Sequence, residues 1–131
     1  LTADDAQIHP KAPGMKYRHY APKAQLYIVE GETDLVRERI NELTAQHAAR
    51  GEAVGVIGTD ESSACYHGSI VKSIGSREDE GSIAHHLYAI LREFDEMDVS
   101  VIYSESFDTP QMGQAIMNRL IKAAGHQIIP V

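Results

Sequence analysis

The chain is 131 residues long, 43% hydrophobic, and carries 12 Lys and Arg against 19 Asp and Glu, for a formal net charge of −7. That length supports one domain with a single core, no apolar run approaches the ~18 residues that cross a bilayer, and the acidic balance argues against a nucleic-acid-binding body, which needs a continuous basic face. One cysteine, Cys65, excludes an internal disulfide and fits a reducing compartment, so a soluble, cytoplasmic domain is expected.

In chain order, residues 1–23 show neither helical nor strand periodicity and contain Pro10, Pro13, Gly14 and Pro22. Proline fixes φ and restricts the residue before it, which predicts an extended, irregular arm. The start, Leu1-Thr2-Ala3-Asp4, is neither a signal peptide nor an initiating Met, and leads us to expect a fragment that lacks its natural N-terminal neighbour. An ordered domain is expected over 24–131. Leu26, Tyr27, Ile28 and Val29 read as a buried strand. A helix is predicted over 34–50, with Leu35, Val36, Ile40 and Leu43 sharing a face, Thr33 or Asp34 as its cap and Gly51 past its end. The second strand is 53–57. A polar loop then leads to a third at 69–74, where Lys72 signals a sheet edge. Ile83, Leu87, Ile90, Leu91 and Phe94 form an apolar stripe that predicts a helix over 79–96. A fourth strand follows at 99–103. Thr109 and Pro110 resemble the start of a third helix running to 124, and 127–131 closes the chain as a strand.

This alternation predicts an α/β fold: a three-layer α/β/α arrangement with a mostly parallel sheet of about five strands. The 59–68 connection contains no helix, so the third strand is expected at an edge, with an antiparallel direction open. We expect the strand order 3-2-1-4-5. That order sets loops 30–34 and 104–109 on either side of a switch-point crevice, where open α/β sheets bind ligands. The candidate crevice residues are Gly31, Thr33, Thr59, Ser104 and Glu105.

A plainer reading competes. Glu30, Glu32 and Asp34 suit a helix dipole, and polar residues at 59–63 and 104–108 are what any solvated loop contains. Neither a G-x-G-x-x-G nor a P-loop is present, and the three acids would repel a polyphosphate. His85 and His86 lie about 100° apart on their helix, poorly placed for one metal. Cys65-Tyr66-His67 is too short a signal for zinc, so no metal is expected in this chain. No nucleophile–base pair is legible, and no catalytic residue is expected.

Charge is strongly polarised. Residues 6–29 contain no acid but carry Lys11, Lys16, Arg18 and Lys23. Within this span Lys16 and Arg18 supply donors for phosphate or carboxylate, Tyr17 and Tyr20 supply planar rings, and His19 can donate or accept. Three rings and two cations in five residues fit a lid over an anionic substrate better than a solvated tether.

The run Pro13-Gly14-Met15-Lys16-Tyr17-Arg18-His19-Tyr20-Ala21-Pro22 closely resembles the interdomain linker of the Sua5 family, the two-domain threonylcarbamoyl-AMP synthases of the tRNA t6A pathway. Residues 87–95 and 113–124 resemble the same family's C-terminal domain. The resemblance covers nearly the whole chain from Lys11. It implies a Rossmann-like domain preceded by the linker, with the catalytic YrdC-like domain absent from this chain. It further implies that the full-length enzyme makes threonylcarbamoyl-AMP and pyrophosphate from L-threonine, bicarbonate and ATP with Mg²⁺. On this chain Lys16, Tyr17, Arg18, His19 and Tyr20 would then enclose substrate, and this piece alone would be inactive. The implied partner is the YrdC-like domain, with no nucleic acid and no membrane. Two other readings stay open: a regulatory module that binds a nucleotide or metabolite in the crevice, and a purely structural or interaction domain.

Overall fold

The computed structural model describes residues 21–107 and 113–131. Within them the chain runs β1 (Gln25–Glu30), α1 (Thr33–Ala48), β2 (Val54–Gly58), one turn of 3-10 helix (Ser63–Cys65), β3 (Ile70–Ser73), α2 (Glu80–Met97), β4 (Val101–Glu105), α3 (Gly113–Ala123) and β5 (Ile128–Pro130). Lys16, Tyr17, Arg18, His19 and Tyr20, and the Thr109–Pro110 helix start expected above, lie outside the described residues.

The five strands form one parallel sheet in the order β3-β2-β4-β1-β5. The expected α/β sandwich is present, with one open point settled and one correction. The third strand is at an edge as expected, but it runs parallel to β2, with Gly55 beside Ile70 and Ile57 beside Lys72. Strands β1 and β4 exchange the places anticipated for them. Val101 pairs with Gln25 on one side and with Val54 on the other, so β4 is the central strand. Every residue of β2 and β4 is buried, whereas β1 exposes both its ends. Apolar runs reveal which strands are covered on both faces, but not which strand lies beside which.

Side chains alternate across the sheet, and each face collects its own core. Leu26, Ile28, Ile57 and Ile102 point to the side covered by α2 and α3, against Ile83, Leu87, Leu91, Phe94, Ile116 and Leu120. Gly55 makes this close fit possible: a Cβ there would lie 2.6 Å from the Phe94 ring. Val29, Val54, Val56, Val101 and Tyr103 point the other way, against Val36 and Ile40 of α1 and against Tyr66 of the β2–β3 connection. Among the described residues, α1 and that connection cover this second face. Asn41 fastens the two together, donating through Nδ2 to the Cys65 carbonyl (2.8 Å) and accepting from the His67 amide (3.0 Å).

The chain approaches β1 beside the end of α2. The Lys23 amide donates to Asp95 Oδ1 at 2.8 Å, across 72 positions of sequence. Because the sheet is parallel, this tie lies at the end where all strands begin. The crevice lies at the end where they finish.

Candidate functional site

The carboxyl ends of β1 and β4 are neighbours, yet their chains leave in opposite directions. β1 leads into α1 on one face, and β4 leads toward α3 on the other. A parallel sheet opens a crevice at such a point, and here it holds a cavity of about 170 Å³. Gly31, Thr33, Val36 and Arg37 line it from the start of α1, Glu105 and Ser106 from the end of β4, and Arg77 from the β3–α2 loop.

The expected crevice residues divide into two groups. Gly31, Thr33 and Glu105 line the cavity. Thr59 and Ser104 are fully buried and engaged internally. The Thr59 amide and hydroxyl both meet Ser62 Oγ, at 2.9 and 3.1 Å, and the Ser104 hydroxyl donates to the Glu105 carbonyl at 2.8 Å. Polarity makes Ser104 and Glu105 resemble a loop. They instead complete β4, in register with Ile28 and Val29. Neither Thr33 nor Asp34, the two expected caps, caps α1: both are helical residues, and Glu32 holds the cap position with no capping hydrogen bond from its side chain.

Glu105 is the organising group. Its residue surface is 4% exposed. The Tyr66 hydroxyl donates to Oε2, and Arg77 Nη2 donates to Oε1 at 2.8 Å. A carboxylate buried to this degree requires such partners, since an uncompensated buried charge is strongly destabilising. Burial, reinforced by the neighbouring Glu105 carboxylate, pushes the Tyr66 hydroxyl well above its ordinary value, so it remains a donor throughout the physiological range. Arg77 also donates from Nη2 to the Ser106 carbonyl at 3.3 Å and lies over the Phe107 ring, 5.4 Å from its centroid. Its loop is held in turn by Glu61, which accepts from the Ser76 hydroxyl (2.6 Å) and the Arg77 amide (3.1 Å).

Gly31 admits the chain reversal above β1. Its φ of +147° is one that L side chains rarely adopt, and a Cβ there would lie 2.7 Å from the Val131 carbonyl oxygen. Arg37 is the residue that the sequence reading passed over. It stands one helical turn after Thr33 on the same side of α1, and its Nε is buried without a hydrogen-bond partner. Spacing from Thr33 could have found it. Nothing in the sequence points to Arg77, which a loop carries to the site. Among the described residues no group of three or more His, Cys, Asp or Glu is placed to hold a metal ion, and no helix is long and apolar enough to cross a membrane.

Comparison with known proteins places this architecture. The family model described as the threonylcarbamoyl-AMP synthase C-terminal domain matches residues 2–125. The chain is 46% identical over 137 residues to the threonylcarbamoyl-AMP synthase of Pyrococcus abyssi, and 46% identical over 125 residues to that of Bacillus subtilis. These alignments take in 97% and 95% of this chain, but only 38% and 35% of the relatives' own length. Among solved structures, Pyrococcus abyssi Sua5 complexed with L-threonine superposes with a TM-score of 0.76 at 40% identity, over 94% of this chain and 37% of that one. The C-terminal Sua5 domain of a Pyrococcus horikoshii protein superposes with a TM-score of 0.66 at 33% identity, over 85% of this chain and all of that one.

Proposed function

This chain belongs to the family of threonylcarbamoyl-AMP synthase C-terminal domains, and from that membership we propose that it is the accessory part of an L-threonylcarbamoyladenylate synthase. The full-length enzyme joins L-threonine, bicarbonate and ATP into threonylcarbamoyl-AMP and pyrophosphate, the activated unit for tRNA t6A modification. A YrdC-like domain of the same polypeptide carries out this chemistry in the cytoplasm. Residues 1–23 form the interdomain linker, and 24–131 form the Rossmann-like domain. The observation that carries the reading is coverage: nearly all of this chain aligns with little more than a third of each synthase. The structural neighbour complexed with L-threonine supports the same substrate here.

In this reading Lys16, Tyr17, Arg18, His19 and Tyr20 form the lid. Two cations and three rings in an otherwise acid-free stretch suit a cover over adenylate and phosphate. Closing such a cover excludes water from a hydrolysable carbamoyl-adenylate and offsets charge on the phosphates. The Lys23–Asp95 hydrogen bond supports the arrangement by tying the arm's base to the domain. We assign no metal step to this chain; ATP and its Mg²⁺ are substrate and counter-ion of the catalytic domain. The test is pyrophosphate release by the full-length enzyme. Tyr17→Ala and Arg18→Ala should each lower the rate about tenfold or more while leaving the fold intact. Wild-type rates in both variants overturn the lid.

A further inference from the structure

We propose that the crevice beside Glu105 binds a small molecule carrying a single oxyanion, a carboxylate or a phosphate, held between Arg37 and Arg77. Neither the membership nor the lid assigns this site, and the inference rests on neither.

The first observation is an unmet donor. Arg37 lines the cavity, and its Nε is buried with no acceptor. A buried N–H without a partner is destabilising, so the Arg37 side chain gains by turning its fork toward an oxyanion in the cavity, which supplies the missing acceptor in charge-assisted form. The second is the state of Arg77. Its Nη2 serves both Glu105 and Ser106, while the side chain as a whole stays 39% exposed. Two arginines therefore line one cavity.

Charge fixes the sign of the ligand. Arg37 and Arg77 contribute two positive charges, and Glu105 removes one, leaving one for a ligand to neutralise. Glu105 does not repel that ligand at close range, because Tyr66 and Arg77 occupy its two oxygens. Size and surroundings narrow the class further. A space of about 170 Å³ takes a small body rather than a dinucleotide. Glu30, Glu32 and Asp34 stand exposed around the loop that enters α1, and they disfavour a polyphosphate. The uncapped start of α1 leaves first-turn N–H groups without a side-chain acceptor, which adds to the preference for an anion.

The test is a ¹H–¹⁵N NMR titration of the 131-residue chain with acetate, inorganic phosphate and ATP at constant ionic strength. The expected result is a saturable shift of the Gly31, Thr33 and Ser106 amides and of the Arg37 Nε–H with acetate or phosphate. The tighter of the two identifies the source of the oxyanion, and ATP binds more weakly than either. Arg37→Gln weakens binding about tenfold or more, while Arg92→Gln, an exposed cation on α2, leaves it unchanged. The absence of saturable shifts at tens of millimolar of both small anions overturns the proposal. So does equal weakening by Arg37→Gln and Arg92→Gln, which reduces the effect to bulk charge. ATP binding as tightly as the small anions overturns the restriction to a single oxyanion. Pyrophosphate release does not enter this readout, so the lid and the crevice fail or stand separately.

Discussion

The two faces of the sheet are held by different means. The α2–α3 face is sealed by apolar packing, with Leu87, Leu91, Phe94 and Leu120 pressed onto Ile28, Ile57 and Ile102. The α1 face has a smaller apolar set and relies on directed hydrogen bonds: Asn41 to the Cys65–His67 segment, His47 between Glu52 (2.7 Å) and Tyr103 (2.8 Å), and Tyr66 to Glu105. Apolar burial is non-directional and scales with area. Hydrogen bonds add little net stability each, but they fix where groups stand. One face therefore holds the domain together, and the other sets the geometry of the crevice.

Mutation can break this division of labour. The largest expected effect is from Phe94→Ala, which should cost about 3–5 kcal/mol in urea unfolding while leaving the chemical shifts around Glu105 in place. Tyr66→Phe should cost less, about 1–3 kcal/mol, because it strips a donor from a buried carboxylate. Its signature is displacement of the Arg77 and Ser106 resonances. Asn41→Ala should cost about 1 kcal/mol and free the 62–67 segment, read as faster amide exchange at His67. If the order of these losses were reversed, the contrast between the faces would be wrong.

The smallest effect is a pH dependence. The Ser76 hydroxyl, followed by the Arg77 amide, holds the exposed Glu61 carboxyl down to about 2 from an ordinary 4.5. A lowered folded value means that the latch contributes fully above pH 4.5 and is lost as pH falls through 2. Amide shifts of Ser76 and Arg77 should follow that titration. A midpoint near 4.5 at both amides would show that the latch does not hold in solution.

What could be read beforehand follows from the same contrast. The broad stripe of α2 was plain, because residues 83, 87, 90, 91 and 94 repeat at helical spacing and all are buried. The end of β4 was misread, because Ser104 and Glu105 are polar and polarity resembles a loop. Ser104 is met by the neighbouring Glu105 carbonyl, and the burial of the Glu105 carboxylate is tolerated only because partners distant in sequence meet it: Tyr66 is 39 positions away and Arg77 is 28. The exchange of β1 and β4 was hidden for a related reason: burial is a property of one strand, adjacency of two. Of the crevice, the sequence showed the residues adjoining each strand end. Arg77 was out of its reach, because a loop with no periodicity brings it there.

The uniform direction of the strands separates what the molecule receives from where it is tethered. Lys23 anchors the arm at the starting pole of β1, and Glu30 leaves β1 beside the opening at the other pole. The rod between them is six residues long, about 20 Å. In the proposed lid reading, the chain ahead of Lys23 is held at one pole and a ligand of the crevice is met at the other. Reach and reception are thus two dials that turn independently.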